Sequence, residues 1–487
     1  MAASVGILSA CFEPRHDPRG SSVFAVAPNL NGSDTVRSHE VDDMALMVGI
    51  SGIRGIVGET LTPAVALEFA QAFGTLLGGG RVVLARDSRP SGEMFESAAA
   101  AGLIAAGVEV TRLGMVMTPA VGRAIRDGRY DGGVMITASH NPEEWNGIKF
   151  LDERGMAPDG ERARAIAALR NERRFESRPT EFLPLRDDAE AGARHMAAVL
   201  DAVEADTAPL SGLRVLLDSV NGAGCVHGKQ FLAALGCDVV HLNGEPTGRF
   251  AHPPEPIEEN LADVCKAVRE AGAALGFVQD PDADRLAIID EHGRFLGEEY
   301  TLALSIRSVL SRRPGPVAAN LSTSRMIDDI AAQCGSRVFR TPVGEAHVAR
   351  AILENDCVIG GEGNGGVIDP RISPVRDSLT AMSQVLQLVA ASGASVSQLV
   401  TELPRYTMLK QKFTCPRERI ATAVDAIAEA FAVERIDRSD GVRVDLAEGW
   451  IHARASNTEP IMRIIAEAPD EATARELIAR TRAIAGL

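Results

Sequence analysis

Short apolar runs that alternate with Ala-rich helical stretches are the feature that most restricts the fold of this chain. The first unit predicts a strand at Val82–Leu84, a helix at Glu93–Ala106 and a strand at Val108–Val110. Strands that alternate with helices form parallel or mixed sheets with helical crossovers. Because the layout recurs twice, the sequence predicts three similar α/β domains in series. The later units are Val215–Leu217, Lys229–Leu235 and Val239–His241, then Ala318–Asn320, Arg325–Cys334 and Val338–Phe339.

The C-terminal part of the chain, from about residue 410 to 487, has a different order of elements. It predicts two helices that flank three strands, which is typical of a small α+β domain. The expected fold class is therefore α/β, with three similar mixed α/β domains followed by an α+β domain. The predicted C-terminal elements are helices at Ile420–Ala432 and Glu471–Ala483, and strands at Val442–Leu446, Trp450–Ala453 and Ile461–Glu467.

Polar or proline-containing segments separate these predicted domains, near Pro179–Asp188, Gly297 and Leu403–Tyr406. The first 46 residues mix Gly, Ser, Pro, Asn and charged residues without periodicity, so we expect a disordered N-terminal extension. Ordered-looking sequence begins near Met47, which is an alternative start. The expected boundaries are 1–46 for the extension and 47–188, 189–297, 298–405 and 406–487 for the four domains.

Composition excludes several classes of function. The formal net charge of −16 argues against nucleic acid or an anionic membrane surface as the main partner. No apolar run approaches the roughly 18 residues that a membrane span needs. The seven cysteines are scattered without a CxxC pair, which is typical of a reduced, cytoplasmic protein without structural zinc. A local arginine cluster still allows an anionic small substrate.

The segment Thr137–Pro142 (TASHNP) is the first candidate for chemistry. It follows the apolar run Val134–Ile136, so Ser139 lies where a strand ends, the place at which open α/β sheets bind ligands. Pro142 favours an extended backbone at Asn141. We therefore expect a small, exposed hydroxyl at Ser139, suited to a nucleophile or a phosphate carrier. The alternative is an ordinary polar connection.

Three aspartates at alternate positions follow a second apolar run, Leu275–Val278. Asp280, Asp282 and Asp284 can converge on one hard cation and leave room for a phosphate oxygen on Mg²⁺. A calcium EF-hand does not fit, because Arg285 occupies the position that requires Gly and a strand precedes the loop. The remaining alternative is a solvated acidic turn.

Two further loops contain residues that suit close contact with a substrate. The segment Gly360–Gly366 contains GxGxxG, but the proline-bearing stretch after it excludes the helix of a dinucleotide site. Its glycines allow backbone to approach a substrate, with Glu362 and Asn364 on sugar hydroxyls. Arg454–Pro460, with Arg463 nearby, combines arginine, hydroxyls and turn amides in an oxyanion nest. Each loop is also compatible with a structural turn.

Two smaller segments place arginines among small residues near predicted strand ends. These are Ser51–Gly55, which contains Arg54, and Arg86–Arg89. Either is also compatible with a solvated charged loop. The sequence has no GxxxxGK phosphate loop, so an ATP-dependent kinase or ATPase of that type is not expected.

The four motifs, in this order and at domain spacing, resemble the α-D-phosphohexomutase family, which contains phosphoglucomutases, phosphomannomutases and phosphoglucosamine mutases. The resemblance runs from about Met47 to the C-terminus. It implies four domains around one central cleft. It also implies interconversion of hexose 1-phosphate and 6-phosphate through a phosphoserine and a bisphosphate intermediate. A hexose 1,6-bisphosphate is the implied activator.

The resemblance further implies roles for individual residues. Ser139 would carry the phosphoryl group, and it would hold Mg²⁺ together with Asp280, Asp282 and Asp284. Arg285 would help to neutralise the phosphate, Arg54 would line the cleft beside it, and Lys149 is a candidate for proton transfer. The implied substrate-binding residues are His140, Glu345, Glu362, Asn364, Arg454, Ser456, Asn457, Thr458 and Arg463.

This chain departs from the family pattern at two of these positions. Glu345 replaces a His or Asp, and Asn364 stands where many members have Ser. The form GEGNG at Gly361–Gly365 resembles archaeal-type phosphoglucosamine mutases, so we expect glucosamine phosphate as the substrate. Phosphomannomutase or phosphoglucomutase activity is the alternative.

Two other classes of function stay open. One is a metal-dependent sugar phosphatase that uses Ser139 as a transient acceptor, and the other is a non-catalytic sugar-phosphate binder. The expected assembly is a monomer or a homodimer.

Overall fold

Four β-sheets follow one another along the part of the chain that the structure describes. The structure is a computed structural model, and it describes residues 46–49, 52–178, 183–456 and 460–487. The predictions for the N-terminal extension up to residue 45, and for Asn457 and Thr458, lie outside the described residues. Residues 45–487 belong to one compact unit.

The first sheet mixes parallel and antiparallel strands, and the strand that precedes Ser139 lies near its centre. All five residues of that strand are buried, because helices cover both faces of the sheet. The elements are β1 (Met47–Gly49), β2 (Gly52–Ile56), α1 (Pro63–Leu77), β3 (Gly80–Arg86), α2 (Gly92–Ala105), β4 (Val108–Met115), α3 (Thr118–Gly128), β5 (Gly132–Ile136), β6 (Trp145–Leu151), α4 (Gly160–Asn171) and β7 (Arg186–Asp187).

The second sheet is smaller, and the aspartate loop lies in the hairpin at its edge. Its last two strands pair antiparallel, with Gln279 opposite Leu286 where the hairpin turns. The elements are α5 (Ala191–Asp201), β8 (Arg214–Asp218), α6 (Cys225–Ala234), β9 (Asp238–Leu242), α7 (Ala262–Glu270), β10 (Leu275–Gln279) and β11 (Leu286–Asp290), with short 3₁₀ helices at Ala208–Leu210 and Glu258–Asn260.

The third sheet places the glycine-rich loop in a corresponding hairpin. Glu362 ends one strand of that hairpin and pairs with Gly366, which begins the other. The elements are α8 (Glu298–Leu310), β12 (Val317–Asn320), α9 (Met326–Gln333), β13 (Val338–Thr341), α10 (Glu345–Glu354), β14 (Ile359–Glu362), β15 (Gly366–Ile368), α11 (Ser378–Ser392) and α12 (Val396–Thr401).

These three sheets share one topology. The strand orders β6-β5-β3-β4, β11-β10-β8-β9 and β15-β14-β12-β13 correspond strand by strand. In each case the second strand runs parallel to the third and antiparallel to the first. The serine, aspartate and glycine loops each connect the two antiparallel strands. The prediction of three similar α/β domains is confirmed.

The fourth sheet is antiparallel throughout its described strands and has the order β16-β20-β19-β18-β17. The sequence analysis missed the two edge strands, because an edge strand is partly solvated and carries no continuous apolar run. The elements are β16 (Thr407–Thr414), α13 (Arg417–Ala430), β17 (Arg435–Asp437), β18 (Val442–Asp445), β19 (Trp450–Ala455), β20 (Ile461–Ala468) and α14 (Glu471–Ala485).

The hydrophobic cores follow the same division. One core lies under the first sheet around Phe69, and another lies under the fourth sheet around Ile451. The largest core is continuous between the second and third sheets, and it includes Phe277 and Leu302. Within the described residues, the helices are too short or too polar to cross a membrane.

Candidate active site

Two adjoining cavities lie where segments of the first, third and fourth sheets meet. The first has a volume of about 300 Å³, and Arg54, Lys149 and Glu345 line it. The second has a volume of about 190 Å³, and Glu362 lines it. Arg454 lines both cavities, so the two cavities share part of one wall.

Ser139 is fully buried, with 0% of its surface exposed, so the expectation of an exposed hydroxyl is wrong. The reason is tertiary, because the aspartate loop of the second sheet packs over the serine loop of the first. Ser139 Oγ donates a hydrogen bond to Asp280 Oδ2 at 3.1 Å. The residue has a φ of 51°, a left-handed conformation that costs energy in a non-glycine residue and is common at functional sites.

Arg89 holds the serine loop in this conformation. Its Nη2 donates to the carbonyl oxygens of Ser139 and Asn141 at 2.6 and 2.7 Å, and its Nη1 donates to that of Pro142 at 2.7 Å. Its Nε pairs with Asp87 Oδ2 at 3.1 Å. Both side chains are buried, so Arg86–Arg89 is not the solvated charged loop that remained open from the sequence.

The aspartate loop brings three buried carboxylates together. One oxygen from each of Asp280, Asp282 and Asp284 lies within 4.8 Å of the others. Asp282 Oδ1 and Asp284 Oδ1 are buried and accept no hydrogen bond within the described residues. Such oxygens are costly unless a cation binds them, and three carboxylates suit a hard divalent cation. The residues therefore fit a metal site next to Ser139.

Two basic side chains counter the charge of these carboxylates. Lys149 Nζ donates to Asp282 Oδ2 at 2.6 Å and to Asp284 Oδ2 at 3.2 Å, and Arg376 Nη2 donates to Asp284 Oδ2 at 2.7 Å. Burial alone would lower the pKa of Lys149, but the two carboxylates outweigh it and raise this pKa. Lys149 is therefore a cation in this arrangement and a charge partner of the aspartates.

The same surroundings separate the pKa values of the aspartates. Burial, reinforced by the neighbouring carboxylates of Asp282 and Asp284, raises the pKa of Asp280 well above its usual range. Burial would also raise the pKa of Asp284, but the positive charges of Arg376 and Lys149 outweigh it and lower this pKa. A bound cation would favour ionisation of all three carboxyl groups.

Two arginines, one from the first sheet and one from the aspartate loop, lie near Ser139. Arg54 lies within β2 rather than at a strand end, and its Nη1 donates to Asn141 Oδ1 at 2.8 Å. Arg285 Nε is buried and has no hydrogen-bond partner within the described residues. Burial, together with the charges of Arg285 and Arg54, lowers the pKa of His140 well below its usual value. A neutral His140 and two arginines suit a phosphate group.

Glu362 anchors the glycine-rich loop Gly360–Gly366 through two hydrogen bonds. Its Oε2 accepts a hydrogen bond from Arg376 Nη1 at 2.7 Å, and its Oε1 accepts from Asn320 Nδ2 at 2.8 Å. Arg376 N donates to Glu345 Oε1 at 2.8 Å. Arg376 thus connects the aspartate cluster to Glu345 and Glu362. Asn364 lines the cavity beside Glu362.

The C-terminal loop contributes arginines to the same cavity. Arg454 and Arg463 lie opposite each other on β19 and β20, and both line it. Arg454 Nε donates to Asp440 Oδ2 at 2.8 Å. Ser456 N donates to the carbonyl oxygen of Ile461, which closes the base of the loop. The two strands that flank this loop therefore place Arg454 and Arg463 side by side at the edge of the cavity.

The chain matches all four domains described for phosphoglucomutases and phosphomannomutases. The matched residues are 45–177 for α/β/α domain I, 193–293 for domain II, 298–406 for domain III and 410–484 for the C-terminal domain. A probable phosphoglucosamine mutase of Methanopyrus kandleri is 40% identical over 438 residues, 89% of this chain and 96% of that relative. The chain belongs to the phosphoglucomutase/phosphomannomutase family.

Other members of the family show similar agreement. A phosphoglucomutase/phosphomannomutase of Thermococcus kodakarensis is 40% identical over 445 residues, 89% of this chain and 97% of that relative. The crystal structure of a family protein from Burkholderia thailandensis has a TM-score of 0.80 at 28% identity, and the match covers 90% of this chain and 98% of that one. The family is one of phosphohexomutases, which are isomerases that transfer a phosphoryl group.

Within this family fold, the structure brings together residues that the sequence left without a role. The sequence analysis noted Arg89 only as part of a charged segment, although an arginine beside an aspartate at a strand end was a usable signal. It did not single out Glu299 or Asp440. Glu299, at the start of α8, lines the smaller cavity. Asp440, in the turn before β18, accepts a hydrogen bond from Arg454. Nothing in their local sequence distinguishes them from surface acids.

Proposed function

We propose that this protein is a phosphohexomutase that interconverts glucosamine 6-phosphate and glucosamine 1-phosphate through a phosphorylated Ser139. The observation that carries the proposal is the 3.1 Å hydrogen bond from Ser139 Oγ to Asp280 Oδ2, within a buried carboxylate cluster. A buried hydroxyl beside a metal site and two arginines suits a phosphoryl carrier.

The residues divide the reaction between them. Phosphoserine 139 transfers its phosphoryl group to the free hydroxyl of a hexose monophosphate. The new bond from phosphorus to the sugar oxygen forms as the bond to Ser139 Oγ breaks, and the proton of the sugar hydroxyl ends on Oγ. The resulting bisphosphate turns around in the cleft and returns its other phosphoryl group to Ser139. A hexose 1,6-bisphosphate would activate the enzyme by phosphorylating Ser139 in the same way.

Asp280, Asp282 and Asp284 would hold Mg²⁺, with an oxygen of the phosphoserine as a further ligand. Bound Mg²⁺ would supply charge neutralisation at the phosphoryl oxygens. Arg285 and Arg54 would add positive charge at the same group, and Lys149 would be the candidate for proton transfer at the reacting oxygen of the substrate. His140 would shape the loop and contact the phosphate rather than act as a base.

The other end of the sugar phosphate would bind on the C-terminal side. Arg454 and Arg463 would bind the non-transferred phosphate together with Ser456, Asn457 and Thr458. Glu362, Asn364 and Glu345 would contact the sugar. In this scheme residues 47–188 form the phosphoserine domain, 189–297 the metal-binding domain, 298–405 the sugar-binding domain and 406–487 the phosphate-binding domain. We further propose that the enzyme is cytoplasmic, because its seven cysteines are scattered without a CxxC pair.

The first test is replacement of the proposed phosphoryl carrier. Ser139→Ala removes the carrier and leaves the aspartate cluster intact, so turnover of every hexose phosphate should disappear. Mass spectrometry of the purified wild-type protein should find one phosphate on Ser139. Turnover in the variant, or stoichiometric release of inorganic phosphate by the wild type, would contradict the mutase scheme.

The second test addresses the metal. Mg²⁺ at about a hundred times its dissociation constant should stabilise the wild-type fold by about 2.7 kcal/mol. This gain, measured as a rise in the thermal unfolding midpoint, should vanish in Asp282→Asn. An equal rise in both proteins would place the metal elsewhere.

The choice of sugar rests on the relatives. The Methanopyrus kandleri relative is named for glucosamine phosphate, and the Thermococcus kodakarensis relative, equally identical, is named for glucose and mannose phosphates. A phosphoglucomutase/phosphomannomutase is therefore the second candidate. Coupled assays on the three sugar phosphates decide between them, and a clear preference for mannose 1-phosphate would overturn the first choice.

A further inference from the structure

Glu299 is a carboxylate of the sugar cavity that lies outside the four motifs. It is the second residue of α8, and it lines the 190 Å³ cavity together with Glu362 and Asn364. The same cavity is lined by Arg454, which we propose to bind the distal phosphate. Glu299 is therefore placed on the wall that the sugar ring would face.

The carboxylate of Glu299 lies directly against the backbone of the sugar loop. A Cβ atom on Gly363 would lie 2.0 Å from Glu299 Oε2, so this carboxylate occupies the space of any larger residue at 363. Ser324 N donates to Oε2 at 3.0 Å and fixes the side chain. Within the described residues Oε1 accepts no hydrogen bond, so one oxygen is anchored and the other is available to a substrate.

Most of the other charged groups of the cavity are paired, although Arg463 Nε has no hydrogen-bond partner within the described residues. Glu362 accepts hydrogen bonds on both oxygens, one of them from Arg376. Lys410 pairs with Glu298 at 3.0 Å, and Arg454 pairs with Asp440 at 2.8 Å. Among the described residues no cation lies within ion-pair distance of Glu299. Burial raises the pKa of this carboxyl group to about 8, although the positive charge of Lys410 and the hydrogen bond from Ser324 N act in the opposite direction, and a further cation beside it would favour the ionised form.

We infer that Glu299 binds the protonated 2-amino group of glucosamine phosphate and is the residue that distinguishes this substrate from glucose and mannose phosphates. The inference rests on the proposed function. Glucosamine differs from glucose by an ammonium group in place of one hydroxyl. An ammonium group forms a charge-assisted hydrogen bond to a carboxylate, which is about twice as strong as the neutral bond of a hydroxyl.

The test compares two sugars in matched variants. Glu299→Gln keeps the shape and removes the charge, so the ratio of kcat/KM for glucosamine 6-phosphate to that for glucose 6-phosphate should fall roughly tenfold to a hundredfold. The value for glucose 6-phosphate itself should change by less than about threefold, because a hydroxyl bonds an amide as well as a carboxylate. Glu299→Asp keeps the charge and should recover part of the ratio.

Glu298→Gln is the control, because it removes the same charge from the neighbouring position, where the carboxylate pairs with Lys410. It should change kcat/KM for both sugars by the same factor. An unchanged ratio in Glu299→Gln, or an equal fall in Glu298→Gln, would overturn the role of Glu299 while leaving the mutase proposal intact. A wild-type protein that converts no hexose phosphate would instead refute the proposed function.

Discussion

Two aspartate–arginine pairs hold opposite ends of the cleft, and they differ in what the arginine does. Arg89 pairs with Asp87 in domain I, and both side chains are fully buried. Arg454 pairs with Asp440 in the C-terminal domain, where the side chains are 12% and 20% exposed. Arg89 donates to carbonyl oxygens of the serine loop, whereas Arg454 lines the cavity. The first pair shapes a loop, and the second holds an arginine at the wall of the cavity.

The two pairs also differ in how they are anchored to the rest of the molecule. Arg89 forms its hydrogen bonds within the first sheet and its loops, and its guanidinium stacks on the ring of Phe250 from the second domain. Asp440 instead accepts a hydrogen bond from Val343 N of domain III at 3.1 Å, and its carbonyl oxygen accepts from His452 Nε2 at 2.7 Å. Because that bond places the proton on Nε2, His452 Nδ1 accepts from Ser322 Oγ, 2.9 Å away.

Two segments of domain III connect these contacts to Glu362 of the glycine-rich loop. Asn320, two residues before Ser322, donates to Glu362 Oε1 at 2.8 Å. Gly344, next to Val343, donates to the same oxygen at 3.2 Å. The turn at Asp440 is therefore connected to Glu362 through two loops of domain III. The hydrogen bonds of Arg89 therefore stay within one domain, whereas those of Asp440 join the C-terminal domain to domain III.

The largest effect should come from breaking the buried pair. Arg89→Met leaves the Asp87 carboxyl group buried without its cation, and it removes the donors of the serine loop. Unfolding by urea should show a loss of about 3–5 kcal/mol, and mutase activity should fall to the background of Ser139→Ala. Arg112→Met is the control, because its pair with Asp187 is exposed and is worth less than about 1 kcal/mol. Equal losses in the two variants would show that burial does not set the cost.

An intermediate effect should appear at the domain junction in acid. Burial lowers the pKa of His452 to about 4 from an unperturbed value of 6.5. Between these values the unfolded chain binds a proton that the folded chain does not, so stability falls as the pH falls from about 6.5 to about 4. The loss over this window is about 3 kcal/mol, and stability contributed by this group is complete above it.

Urea unfolding at a series of pH values measures this effect. His452→Gln should reduce the dependence by the contribution of this group, because the glutamine does not titrate. His292→Gln should leave it unchanged, since that imidazole is 63% exposed. Parallel curves for His452→Gln and the wild type would assign the acid sensitivity to another group.

The smallest effect should come from weakening the partly buried pair of Arg454 and Asp440. Asp440→Asn keeps an acceptor oxygen but removes the charge that orients Arg454, so KM for the phosphosugar should rise about tenfold, which corresponds to about 1.4 kcal/mol. The value of kcat should change much less, because the reacting atoms lie at the serine end. Asp425→Asn, which alters an exposed pair with Arg438 on the same domain, should leave both constants unchanged. A fall in kcat at constant KM would contradict a positioning role for Asp440.

Much of the fold follows from local patterns. Each predicted strand of the three α/β units lies within an observed strand, such as Val215–Leu217 within Arg214–Asp218, because a buried strand is a continuous apolar run. The edge strand Thr407–Thr414 was missed because its exposed positions carry polar residues such as Lys410 and Lys412. Arg54 was expected near a strand end, but it lies inside β2.

The sequence by itself determined where two of the chemistry-bearing loops lie, because Ser139 and Asp280 each follow a strand that its own residues specify, whereas Glu362, expected in a loop, ends the strand Ile359–Glu362. Only the tertiary structure decided how these loops are used. The bond between Ser139 and Asp280 spans 141 positions along the chain, and that between Arg376 and Asp284 spans 92. The contacts between loops of different domains decide three features of the site. These are the burial of Ser139, the cations beside the aspartates and the oxygen of Glu299 that accepts no hydrogen bond within the described residues. Local periodicity carries no information about those contacts.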